Sequence, residues 1–78
     1  MNNDPKRDLG EQPIAKVLAS HGLKPTDLVR NSAEQITHKM VGRAVKGRKL
    51  TPHVQIKILN AVNTAAHSHY SLNDLFNY

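Results

Sequence analysis

The chain has 78 residues and no cysteine, and 11 Lys and Arg against 6 Asp and Glu give a formal net charge of +5. That length suits one domain rather than several, and without thiols neither a disulfide framework nor a thiolate metal site can brace it. No apolar run approaches the ~20 residues that cross a bilayer, and the opening "MNNDPKRDLG" lacks the apolar centre of a secretory signal, so the expectation is a soluble, cytoplasmic protein with no membrane partner.

Residues 1–12 read as a flexible polar tail, with Pro, Asn and mixed charge. Residues 13–78 read as the folded domain. Its first helix is "PIAKVLASHG". Pro13 suits a first helical position. Ile14, Val17 and Leu18, with the small Ala15 and Ala19, make an apolar stripe at helical spacing. Gly22 is a suitable stop. The second helix, "KPTDLVRNS", opens on Pro25 and carries Asp27 in its first turn. Leu28 and Val29 are its core-facing residues.

The third helix lies in "ITHKMVGRAVKGRKL", between Thr37 as N-cap and Gly47 as the stop. The fourth begins at Thr51-Pro52, a cap followed by a helix-opening proline. Val54, Ile58, Ala61, Val62 and Ala65 share one of its faces, with Leu59 beside them. The fifth is "SLNDLFNY", where Ser71 and Asp74 stand three apart like a capping box. Each helix but the fourth has about ten residues or fewer, too short to persist alone in water. The expected fold class is therefore all-α, a compact five-helix bundle with short connections.

Charge is unevenly placed. From Gln35 to Asn73 there is no Asp or Glu, while the same span holds Lys39, Arg43, Lys46, Arg48, Lys49 and Lys57. At 100° per residue, Lys39, Gly42, Arg43 and Lys46 share one face of the third helix, with His38 at its edge. Met40, Val41, Ala44 and Val45 lie opposite. A merely solvated helix tends to interleave opposite charges, whereas like charges three or four apart cost a few tenths of a kcal/mol each. A polyanion would offset that cost. Gly42 is a further cost of roughly 1 kcal/mol relative to Ala. It admits either a ligand or another helix at close range.

A short helix, a turn and a basic amphipathic helix make a helix-turn-helix arrangement. Here the chain resembles the Xre/Cro family of lambda-repressor-like DNA-binding domains. The carrying segments are "GLKPTDLV", "VGRAVKGRKLTP" and "SLNDLF", and the likeness runs from Ile14 to Phe76. Their order and spacing carry it more than any single motif. The chain departs from the family in a longer turn around "NSAEQI", which lacks the frequent Gly. Pro25 and Thr26 stand where a Gln is common, and Val45 where many members carry Glu.

The resemblance implies sequence-specific binding of double-stranded DNA by a small, nucleoid-associated transcriptional regulator. The third helix would lie in the major groove. His38, Lys39, Gly42 and Arg43 would meet base edges, Arg43 best, because a guanidinium can bond guanine O6 and N7 together. Lys46, Arg48, Lys49 and the Thr26 hydroxyl would hold phosphates, which set affinity and register without carrying sequence information. Family members commonly bind as dimers. The expected homodimer surface is Leu72, Leu75, Phe76 and Tyr78; the same residues would otherwise close the monomer's core.

The rival reading is a protein-interaction module, an antitoxin or adaptor that uses the same fold to bind an acidic protein partner. RNA is a weaker alternative, because there is little aromatic surface for stacking bases. His67 and His69 form an HxH pair, but two ligands are too few for a metal site, and no cofactor is expected. The chain has no glycine-rich phosphate loop, and nothing suggests a nucleophile with an oriented base. It is read as a non-enzyme, with little room for a pocket.

Overall fold

All five expected helices form, and most begin where the sequence supplies a proline or a capping side chain. The computed structural model describes residues 10–78. They run α1 Pro13–Ser20, α2 Pro25–Asn31, α3 His38–Lys46, α4 Pro52–Ala66 and α5 Leu72–Leu75. There is no strand among the described residues, so the domain is all-α. Positions 1–9 of the expected tail lie outside the described residues.

Three prolines open helices at a position where a missing N–H costs nothing. Thr37 Oγ1 accepts from the Met40 N–H at 3.1 Å, and Thr51 Oγ1 accepts from the Val54 N–H at 3.3 Å. Each satisfies a backbone donor that has no partner within its helix. At α2 and α5 an acid three residues on does the reciprocal work. Asp27 accepts from the Lys24 N–H, and Asp74 accepts from the Ser71 N–H, both at 2.8 Å. Asn63 fixes the link to α5: its side chain accepts from the Tyr70 N–H at 2.7 Å and donates to the Tyr70 carbonyl at 3.1 Å.

The core draws on every helix. Ile14 and Leu18 of α1, Leu28 of α2, Val41 and Ala44 of α3, Ile58, Ala61 and Val62 of α4, and Leu75 with Phe76 form one buried cluster. α2 lies chiefly on α4, while α1 is packed between α5 and α3. Ile36, in the turn before α3, joins the core at 6% exposure. The turn over 32–37 is longer than the ~3–4 residues of a helix-turn-helix. It is nonetheless tied down: the Ser32 hydroxyl donates to the Glu34 carbonyl at 2.6 Å and accepts from the Glu34 N–H at 3.1 Å. With Ile36 buried just before the Thr37 cap, the start and rotation of α3 are anchored despite the long turn.

Two expectations change. The tail was read as reaching residue 12, yet Gln12 is 1% exposed. Its N–H donates to the Val45 carbonyl at 3.2 Å. Its side chain donates to the Gly10 carbonyl at 2.9 Å and accepts from the Asn77 N–H at 2.8 Å. Packed structure thus begins before Pro13. The second change is at the C-terminal end. Of the two expected destinations for Leu75 and Phe76, a dimer surface or the monomer's core, the single chain takes the second: they are 0% and 2% exposed. An apolar side chain finds the nearest core, and α5 lies directly against α1 and α4. Leu72 is half-buried, and Tyr78 keeps 40% exposure.

Candidate functional site

α3 is sorted by its packing. Val41 and Ala44 are buried, and Met40 and Val45 half-buried, against the bundle. His38, Lys39, Arg43 and Lys46 are exposed on the other side. Gly47 ends the helix with φ +89°, a left-handed conformation that favours glycine. Its N–H and that of Arg48 both close onto the Arg43 carbonyl, at 3.1 and 3.0 Å. The chain turns sharply there and brings Arg48 back beside the helix. A side chain at Gly47 has no space, because a Cβ would run into the Gly10 backbone.

Lys39, Gly42, Arg43, Lys46 and Arg48 line one open groove of about 310 Å³. No acid is among them. Among the described residues, none of Lys39, Arg43, Lys46, Arg48 or Lys49 has an ion-pair or hydrogen-bond partner for its side chain. The groove is therefore a concentration of unpaired positive charge with an open mouth. An anion seated among these exposed cations gains Coulomb attraction from several of them at once, which salt weakens.

The expected site residues divide. Lys39, Gly42, Arg43, Lys46 and Arg48 come together. Lys49 is exposed but lies outside the groove lining. His38 and Thr26 meet each other: the ring Nε2 and the hydroxyl are 3.2 Å apart, which ties the first turn of α3 to that of α2. The Thr26 hydroxyl is thus already engaged. Two other histidines stand at helix ends. His21 caps α1 and bonds the Tyr70 hydroxyl at 2.8 Å, and His67 caps α4 in a left-handed conformation.

Gly42 has a clear setting. A Cβ built there meets nothing within 4 Å. The glycine is therefore not required by a neighbouring helix, and its missing side chain leaves open space on the solvent side. A second concavity borders it, lined by Ala15, Leu18, Ala19, Leu23, Pro25, Gly42, Val45 and Lys46, with a volume of about 320 Å³. The sequence did not suggest this second groove, since it depends on how α1 and the start of α2 lean on α3.

Two residues to which sequence reasoning assigned no such role, Gln12 and Tyr78, brace the chain around α3. Gln12 grips the Val45 carbonyl near the end of α3. Tyr78 accepts from the Leu50 N–H at 3.0 Å and donates to the Arg48 carbonyl at 3.3 Å. Its ring meets Phe76 edge-on, with centroids 5.8 Å apart. A Gln just before a helix-opening proline is a weak sequence signal, and a Tyr so far along the chain gives none. No helix among the described residues is long and apolar enough to cross a membrane. No protein-family model matches the chain, and no curated protein or solved structure matches it.

Proposed function

We propose that this domain binds double-stranded DNA in the manner of a lambda-repressor-like helix-turn-helix protein, with α3 in the major groove. The observation that carries the reading is the acid-free groove of unpaired cations along the exposed face of α3. A phosphate backbone supplies charge of the opposite sign at close spacing and releases counterions when it is neutralised. Lys39, Gly42 and Arg43 are the base-facing group, with His38 at its edge. Lys46, Arg48 and Lys49 are the phosphate group. Ile36 and the Thr37 cap support the reading, because base recognition needs a helix held in one register.

The fold gives α3 a fixed seat on α1, α2 and α4, so its exposed face acts as a rigid reading head. One short helix reaches only a few base pairs, and a pair of domains on two half-sites would lengthen the site. With Leu75 and Phe76 inside the core, such pairing would fall to other surfaces, Leu72 and Tyr78 among them.

Selection of bound sequences from a random duplex library, followed by titration at several salt concentrations, tests this. Affinity should fall steeply with salt, in proportion to the phosphates neutralised. Arg43→Ala should cost about 1–3 kcal/mol and relax preference at one position. Lys49→Ala should weaken all sequences alike and lower the salt slope by about 1. If neither substitution alters duplex binding at low salt, the reading is wrong.

A further inference from the structure

DNA binding accounts for the cationic groove but not for its neighbour. The second concavity is walled almost wholly by apolar side chains: Ala15, Leu18 and Ala19 from α1, Leu23 and Pro25 from the following turn, and Val45 from α3. A phosphate backbone has nothing apolar to place there. The two grooves adjoin: Gly42 and Lys46 line both, and a Cβ at Gly42 would stand in open space where they meet. Each groove alone, at about 310 and 320 Å³, lies at the lower end of the ~300–1,000 Å³ usual for small-ligand sites. Together they offer an apolar trough that leads into a cationic basin, with no acid on either wall.

We propose that the joined grooves bind a soluble single-chain amphiphile with an anionic head. Its aliphatic body lies along Leu18, Leu23 and Val45. Its phosphate or carboxylate is held by Lys46 and Arg43, with Lys39 and Arg48 around it. Charge complementarity fixes the head, since four cations surround the basin and none has a partner. The trough fixes the body, since leaving its apolar walls against water is unfavourable. Gly42 sits at the junction, where any larger side chain would project into the ligand's path. The site does not depend on the DNA reading, though it uses four of the same cations.

Octyl phosphate, kept below its micelle concentration and titrated against the intact protein by amide NMR, tests the proposal. Saturable shifts are expected at Leu23, Gly42, Val45 and Lys46. Octanol and inorganic phosphate should each bind at least about tenfold more weakly, because each fills half of the site. Lys46→Ala removes the shared cation, and Ala19→Phe fills the trough from the exposed face of α1. Each should weaken octyl phosphate about tenfold or more while the circular dichroism and melting curve stay those of a folded helical protein. Equal affinity for inorganic phosphate would overturn the proposal, leaving only an anion basin. So would equal affinity for octanol, shifts that never saturate, or shifts that map away from α3. If Ala19→Phe does not fold, Leu23→Gln takes its place, and unchanged binding in a folded trough variant refutes the site.

Discussion

Gly42→Ala sets local propensity against the use of the site. The added methyl meets no atom within 4 Å, so it causes no clash and gains no packing contact. What remains is the backbone term. Glycine inside a helix is less favourable than alanine by about 0.8–1.0 kcal/mol, much of it through the freedom glycine keeps in the unfolded chain. The variant should thus be more stable by up to ~1 kcal/mol, which raises the Tm of a domain this size by roughly 4–8 °C. The same methyl narrows the passage between the two grooves, so octyl phosphate should bind several-fold more weakly. Thermal melting read by circular dichroism and a ligand titration check the two effects on one sample. A lower Tm would show that the methyl does meet something, and the open setting of Gly42 would be wrong. A higher Tm with unchanged octyl phosphate binding would refute its place in a ligand's path.

Gly47→Ala should act in the opposite sense, because it forces a side chain into a left-handed conformation and against the Gly10 backbone; a loss of about 2 kcal/mol or more is expected in urea unfolding, and a neutral result would contradict the close approach. Thr37→Ala removes the acceptor for the Met40 N–H and should destabilise by about 1 kcal/mol, with faster amide hydrogen exchange in the first turn of α3 than elsewhere. Gln12→Leu keeps the bulk but leaves the Asn77 N–H unpaired; a cost of about 1–3 kcal/mol is expected, and a melting curve unchanged from the parent would show that Gln12 is not the tie between the two segments. Leu28→Ala empties a fully buried position between α2 and α4 and should cost about 2–5 kcal/mol, enough to leave so small a domain largely unfolded by the same assay.

Much of this was legible where the physics is local. Prolines at helix starts, Thr37 and Thr51 as caps, Asp27 and Asp74 as reciprocal acceptors, and Gly47 as a stop act within one turn of chain. They fixed the helix starts almost to the residue, while α5 ends at Leu75, short of the expected "SLNDLFNY". The sorting of α3 was also legible, because 100° per residue separates Lys39, Arg43 and Lys46 from Val41 and Ala44 whatever surrounds them. Gln12 was not, because its reason for burial lies in Asn77, Val45 and Gly10, brought together only by the tertiary fold. The burial of Ile36 was not legible either, because five polar or small neighbours precede it in the "NSAEQI" turn and give no periodicity. The end of the chain offered two destinations for Leu75 and Phe76, and periodicity alone does not choose between a core and an interface. The trough beside Gly42 depends on a packing angle, which no local pattern encodes.

The ties made by Gln12 and Tyr78 have a consequence for how the protein is made. Synthesis proceeds from the N-terminal end, yet the segment after α3 is held by Tyr78, and the segment before α1 by Asn77. At roughly 5–20 residues per second, the ribosome needs on the order of seconds to pass from Arg48 to Tyr78. In that interval the turn after α3 lacks the two Tyr78 hydrogen bonds that hold it in the finished fold. The finished geometry, and any discrimination it provides, waits for the arrival of residues 76–78.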